Sequence, residues 1–466
     1  MSLLQIAWRN FCHRSLSSIL TTFSLALGVG LVVLVLSVYG VIQEAFTRNA
    51  SVGYNLVVGP KGSPLQLTLN SVFYLSQPIE NLPFTEYMEF FGQAERAEMV
   101  AEYGGDPALG QRDGKYSAFV AGGFAIPLAL GDYFGEFRVV GTTPQFFQDL
   151  RHGPDLNQEF TFSSGRAFVD HSEENGFFEA VLGSRVAKAM NVTTGDVFFP
   201  THGDPEGKGH EDKFMVVGVM DPTGTPNDRA TFVNLEGFYL MEGHAKPISE
   251  EEQARLDAIA ETEADDSNEA DDHHDHDHLE RLSIPQREVT SILVRNGNIM
   301  FAPGMQNMVN EGLQSQAAAP VGEINKLMTL IVGPLLKALL AITVITCLVA
   351  SVGILVSIYN SMNDRKRDIA VMRALGARRE TVTTIIIFES FLIALIGAVS
   401  GWILAHLAIL AYSGTIEEQT GVQVGFFSTS ELEIWVLPLV LILALVAALL
   451  PAWTAYRTDV GSNLSA

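Results

Sequence analysis

The sequence predicts a membrane protein with four transmembrane α-helices and a large mixed α/β extracytoplasmic domain inserted between spans 1 and 2. Three observations lead there. Apolar residues make up 47% of the 466 and gather near residues 17–42, 327–360, 381–412 and 434–456. Each block is long enough to cross a hydrocarbon core of about 30 Å at roughly 1.5 Å per residue. The long interval between the first two blocks carries short strand and helix patterns. The loops after the second and third blocks differ sharply in charge, which orients the whole.

Arg9, His13 and Arg14 precede the first block, as the basic flank of a secretory signal would. The apolar run SILTTFSLALGVGLVVLVLSVYGVI exceeds the roughly 7–15 residues of a signal core and lacks a small-residue cleavage site. Residues 17–44 are therefore expected to be a retained span.

Residues 45–325 form the expected outer domain. YNLVVG, FRVVGTT, FMVVGVM and ATFVNLEGFYLM are β-branched or aromatic runs bounded by Gly, Pro or Asp, the pattern of strands. TPQFFQDL and SRVAKAM place apolar residues three and four apart, the pattern of short amphipathic helices. GPKGSPLQLTLNSVFY reads either as a turn with an edge strand or as a surface for a partner. Within 249–288 the composition predicts a disordered acidic insertion: between Ser249 and Glu288 stand 15 acidic and 3 basic residues, half of the chain's net charge of −24. A short helix through Leu256 and Ile259 is the only order expected in it.

The second apolar block is longer than a bilayer needs. Lys326, Pro334 and Lys337 place the start of its spanning part near Ala338, so that 326–360 comprises a projecting stalk and span 2. The alternative is one tilted helix with Lys337 reaching to the interface. The loop 361–380 carries Arg365, Lys366, Arg367, Arg373, Arg378 and Arg379, whereas 413–433 carries no Lys or Arg. Short basic loops stay in the cytoplasm. Span 3 (381–412) and span 4 (434–457) follow, and both termini, including the tail 458–466, are expected to be cytoplasmic.

The acidic balance disfavours nucleic acid as a partner, because phosphate backbones are bound by Lys and Arg clusters. The two cysteines, Cys12 and Cys347, lie at or within the apolar segments and give the outer domain no disulfide framework. No G-x-x-x-x-G-K-[ST] phosphate loop is present, so ATP would have to be hydrolysed on another chain. No nucleophile–base set or paired carboxylates define an active site. HHDHDH offers His273, His274, Asp275, His276, Asp277 and His278 as ligands for weak zinc capture, with a solvated acidic linker as the other reading. His202, His210 and His244 would add ligands if the fold brought them near; lone loop histidines are otherwise simply exposed.

Four separated stretches resemble permeases of the MacB/FtsX superfamily, which includes macrolide exporters and lipoprotein-release permeases. LLQIAWRNFCHRSLSSILTTFSLALGVG is similar to the family's amphipathic helix, here residues 1–16, followed by its first span. AVLGSRVAKAMNVTTGDVF, FMVVGVMDPTGTPNDRATFVNLEGF and GTTPQFFQ resemble its periplasmic core. RKRDIAVMRALGARRETV resembles its cytoplasmic motif, and PAWTAYRTDVGSNLSA its exit from the last span, with fewer basic residues than usual. The acidic histidine-rich insertion departs from the family pattern.

The resemblance implies a permease subunit of an ABC transporter in the cell inner membrane, itself no enzyme and without a cofactor of its own. A cytoplasmic ABC ATPase dimer would carry ATP and Mg²⁺, and the permease would form a homodimer or a pseudo-symmetric heterodimer. Arg365, Arg367, Ile369, Met372, Arg373, Leu375 and Gly376 would contact the ATPase, although orientation alone also accounts for the arginines. Cargo would be a lipoprotein, peptide or small molecule, met with an extracytoplasmic lipoprotein or adaptor. Two alternatives stand beside this reading: zinc-linked transport or sensing through the histidine tract, and FtsX-like regulation of an extracytoplasmic hydrolase.

Overall fold

The computed structural model describes residues 3–13, 15–49, 53–153, 155–203, 207, 209–249, 254, 281–364, 376–420 and 431–457. The chain divides into two compact units, one of residues 1–45 and 328–466 and the other of residues 46–327.

The first unit is helical. Among the described residues, three helices contain segments long and apolar enough to cross a membrane: Ser18–Gln43, the stretch Pro320–Thr346 that begins in the second unit, and Arg379–Thr415. A shorter apolar segment, Glu433–Leu449, opens the last helix. Within the unit Leu25, Val29 and Val33 pack with Ile393, Ala394 and Ala398, and with Val440 and Ala444. Gly401 permits the closest approach, since a Cβ there would stand 2.4 Å from the carbonyl oxygen of Ala26. Small residues at such crossings let backbones approach where lipid supplies no hydrophobic drive.

Residues 320–364 form consecutive helical segments, Pro320–Leu327, a π-helical turn Met328–Val332 and Gly333–Asp364. The π turn has a local cause. Pro334 has no N–H to give to the preceding turn, and a wider turn at that point absorbs the lost bond. Lys337, just beyond it, is exposed.

The second unit is built on a mixed sheet. Its first strands are β1 (Leu56–Pro60), β2 (Leu82–Pro83), β3 (Phe124–Phe134), β4 (Phe137–Thr142), β5 (Phe162–Gly165) and β6 (Glu179–Leu182). After these come β7 (Val197–Phe198), β8 (Thr201–His202), β9 (Phe214–Met220), β10 (Ala230–Asn234), β11 (Glu288–Val289), β12 (Ser291–Arg295) and β13 (Ser315–Ala318). Among the described residues the main order is β13-β1-β12-β3-β4-β10-β6-β9-β5, with β8 on β3 and β7 on β9, while β11 pairs with β2 apart from it. Strand β3 joins the halves: Phe124 to Leu128 pair with β12, and Ala129 to Phe134 pair with β4.

Residues 281–288, expected to close the disordered insertion, are instead ordered, with Ile284 and Arg287 buried and Glu288 opening β11, and two further segments differ in element type from the sequence expectation. ATFVNLEGFYLM is a strand only through Asn234 and then the helix Leu235–Leu240, because the Asn234 side chain accepts the Glu236 N–H at 2.8 Å and caps a helix start. GPKGSPLQLTLNSVFY contains the helix Pro64–Ser71 rather than an edge strand. Ser63 accepts the N–H of Gln66, and Pro64 at the first position has no N–H to leave unpaired. Leu256 and Ile259 lie outside the described residues.

Phe146, Phe147, Phe160, Phe168 and Phe232 fill one core of the second unit. Elsewhere Arg287 is fully buried and forms a two-pronged pair with Glu236, one bond measuring 2.9 Å, beneath the Tyr103 ring at 3.8 Å. Arg287→Ala should lower stability by about 3–5 kcal/mol, since it strands a buried carboxylate; chemical denaturation of the purified chain measures it. Gly401→Val should cost about 1–3 kcal/mol through overpacking, visible as a lower melting temperature in detergent, whereas an unchanged value would mean that the two helices do not meet there.

Candidate functional site

A convergent polar cluster lies in the second unit. The β3–β4 register shifts between Leu130 and Tyr133, and Asp132 sits within that irregularity. Bulges of this kind re-aim a side chain. The Asp132 side chain is fully buried. On the other edge of β3, β8 sets His202 directly opposite Asp132. A bridge between Thr201 and Gly209 and the His210 N–H, which donates to the Pro200 carbonyl at 2.9 Å, hold Gly209 and His210 beside this strand. His210 thereby reaches the same carboxylate.

The fourth member comes from the segment after the helix Leu235–Leu240. The His244 N–H donates to the Met241 carbonyl at 3.2 Å, and its ring stands edge-on to Phe238, with centroids 4.4 Å apart. Phe238 in turn sits over Gly141 of β4, where a Cβ would come within 2.8 Å of the phenylalanine side chain. Sheet, glycine and aromatic ring therefore fix His244.

The resulting distances are short and mutually similar. Asp132 Oδ2 lies 3.1 Å from His210 Nε2 and 3.2 Å from His244 Nε2, while Asp132 Oδ1 lies 3.2 Å from His202 Nδ1. The two Nε2 atoms are 3.3 Å apart. The side chains of His210 and His244 are nearly buried, whereas that of His202 is 60% exposed. Burial lowers the His210 pKa, and its histidine neighbours add to this against the opposing pull of Asp132. Its ring is held toward the neutral form, the form that ligates metals. Four donors on one point can hold a proton network or a divalent ion.

Of the sequence candidates, His202, His210 and His244 are brought together, and Asp132 is the partner that sequence reasoning missed. Its only local signal was Gly131 beside an acidic residue inside an apolar run. His273, His274, Asp275, His276, Asp277 and His278 lie outside the described residues, as do Arg365, Arg367, Ile369, Met372, Arg373 and Leu375. Gly376 is described: it is exposed, with φ +102°, a conformation that favours glycine and suits the end of a helix.

The helical unit has its own polar focus. Glu433, in the turn Glu431–Trp435, accepts a hydrogen bond from Ser37 and faces His406 Nε2 at 3.2 Å. All three are buried. Ionisable side chains among apolar helices persist where they pair.

Apolar helices long enough to cross a bilayer, joined to a large sheet domain, define a membrane protein. Residues 18–269, more than half of the chain, match the MacB-like periplasmic core domain, and residues 340–460 match the FtsX-like permease C-terminal domain. The chain belongs to this family of ABC transporter permeases of the MacB/FtsX superfamily. Comparison with curated proteins gives no match.

Glu433→Ala should lower the melting temperature in detergent, equivalent to roughly 1 kcal/mol for polar pairs between membrane helices. Glu433→Gln, which still accepts from Ser37, should lower it less. Equal effects of the two would show that the carboxylate's pairing with His406 carries the stabilisation instead.

Proposed function

We propose that this permease couples ATP hydrolysis by a separate cytoplasmic ATPase dimer to movement of its extracytoplasmic domain, and so drives export or release of a lipoprotein, peptide or small molecule. The observation that carries the reading is the joint match to a periplasmic core domain and an FtsX-like permease domain in one chain. In this reading the protein lies in the inner membrane with four spans, the helix Val436–Arg457 serving as the fourth. Both termini and the basic loop 361–380 face the cytoplasm.

The helical run over 320–364 is the mechanical link. Backbone hydrogen bonding makes a helix stiff along its axis, so displacement at its cytoplasmic end is transmitted toward residue 320 rather than absorbed. Ile342, Ile345, Val349 and Val352 are exposed on this helix, a surface suited to lipid or to a second permease copy. The work comes from nucleotide-driven closure of the two ATPase subunits against Arg365, Arg367, Ile369, Met372, Arg373, Leu375 and Gly376. The apolar members would fill a groove on the ATPase, and the arginines would meet its acidic groups.

Arg373→Glu and Leu375→Asp should each leave membrane insertion intact while abolishing permease-stimulated ATP turnover after reconstitution with the partner ATPase. Stimulated turnover equal to that of the parent protein would sink the assignment of this loop.

A further inference from the structure

We propose that Asp132, His202, His210 and His244 form a binding site for one Zn²⁺ ion, a site that the transport reading neither requires nor supplies. Donor spacing carries the inference. With zinc–ligand bonds of about 2.0–2.1 Å, neighbouring donors of a tetrahedral site lie roughly 3.3 Å apart. Asp132 Oδ2, His210 Nε2 and His244 Nε2 form a triangle with edges of 3.1, 3.2 and 3.3 Å, which is one face of such a tetrahedron. His202 Nδ1, 3.2 Å from the other carboxylate oxygen and within 4.8 Å of the other donors, supplies the fourth corner.

Hydrogen bonding alone accounts poorly for the arrangement. Among the described residues neither oxygen of the fully buried Asp132 accepts an aligned hydrogen bond, although three ring nitrogens approach it. A buried carboxylate left in that state is costly. Two Nε2 atoms that face each other and the same oxygen also compete for one direction. A divalent ion removes both conflicts by accepting lone pairs from the rings and the carboxylate together. Three imidazoles and one carboxylate suit Zn²⁺, whereas Mg²⁺ and Ca²⁺ take oxygen ligands.

The ligands come from three places in the chain: Asp132 from β3, His202 and His210 from β8 and the residues bridged to it, and His244 from the segment that continues to Ser249. Zinc would fasten the latter two onto the sheet. The exposed His202 leaves one side open to solvent, so the ion can enter and leave the folded protein.

The test uses the full-length permease in detergent, purified without a polyhistidine tag. His273, His274, His276 and His278 are first replaced by Ala so that the tract contributes nothing. This parent should retain about one equivalent of zinc by elemental analysis, and zinc should raise its melting temperature. Its Co²⁺ form should show the visible absorption of a four-coordinate ion. Asp132→Asn, close in shape to the parent, and His210→Ala should each lose the bound zinc and the thermal shift while keeping the parent's circular dichroism. Zinc stoichiometry and thermal shift unchanged in both variants, or a parent that retains no zinc, would overturn the site. Loss of folding in His210→Ala leaves Asp132→Asn to decide.

Discussion

Strand β3 is the constraint on which the second unit rests. Its first half pairs with β12 and its second half with β4, so among the described residues this strand makes the two parts of the sheet continuous. Within the β3–β4 ladder the register shifts between Leu130 and Tyr133, and Asp132, inside that irregularity, is buried on the edge where β8 arrives. A fully buried carboxylate thus sits on the strand that joins the two parts of the sheet, and three histidines converge on it.

The helical unit answers to a different constraint. Backbone polar groups in lipid must be satisfied within the segment, which makes helices the obligatory element, but lipid gives no hydrophobic reward for bringing them together. Close contact at Gly401, small residues such as Ala394 and Ala398, and the buried pairing of Ser37, His406 and Glu433 supply the specificity instead.

Much of this architecture was legible because its signals are local. A long apolar run needs no partner to be recognised, and TPQFFQDL and SRVAKAM became the helices Gln145–Asp149 and Ser184–Met190 because their apolar spacing is intrinsic. FRVVGTT and FMVVGVM became β4 and β9 for the same kind of reason. The misreadings arose where one polar side chain outweighed the composition of its neighbours. Asn234 turned an aromatic run from strand to helix, and Ser63 with Pro64 started a helix where Gly and Pro read as a turn.

The sequence by itself determined the apolar segments, the large mixed domain and the family resemblance, because hydropathy, periodicity and short motifs are carried by neighbouring residues. It also named three histidines without being able to join them. Only the tertiary structure decided that His202, His210 and His244, spread over more than forty positions, meet at Asp132, seventy residues earlier in the chain. That meeting depends on strand order, on the bulge in β3 and on the turn after Leu240, and none of these is encoded in any one stretch.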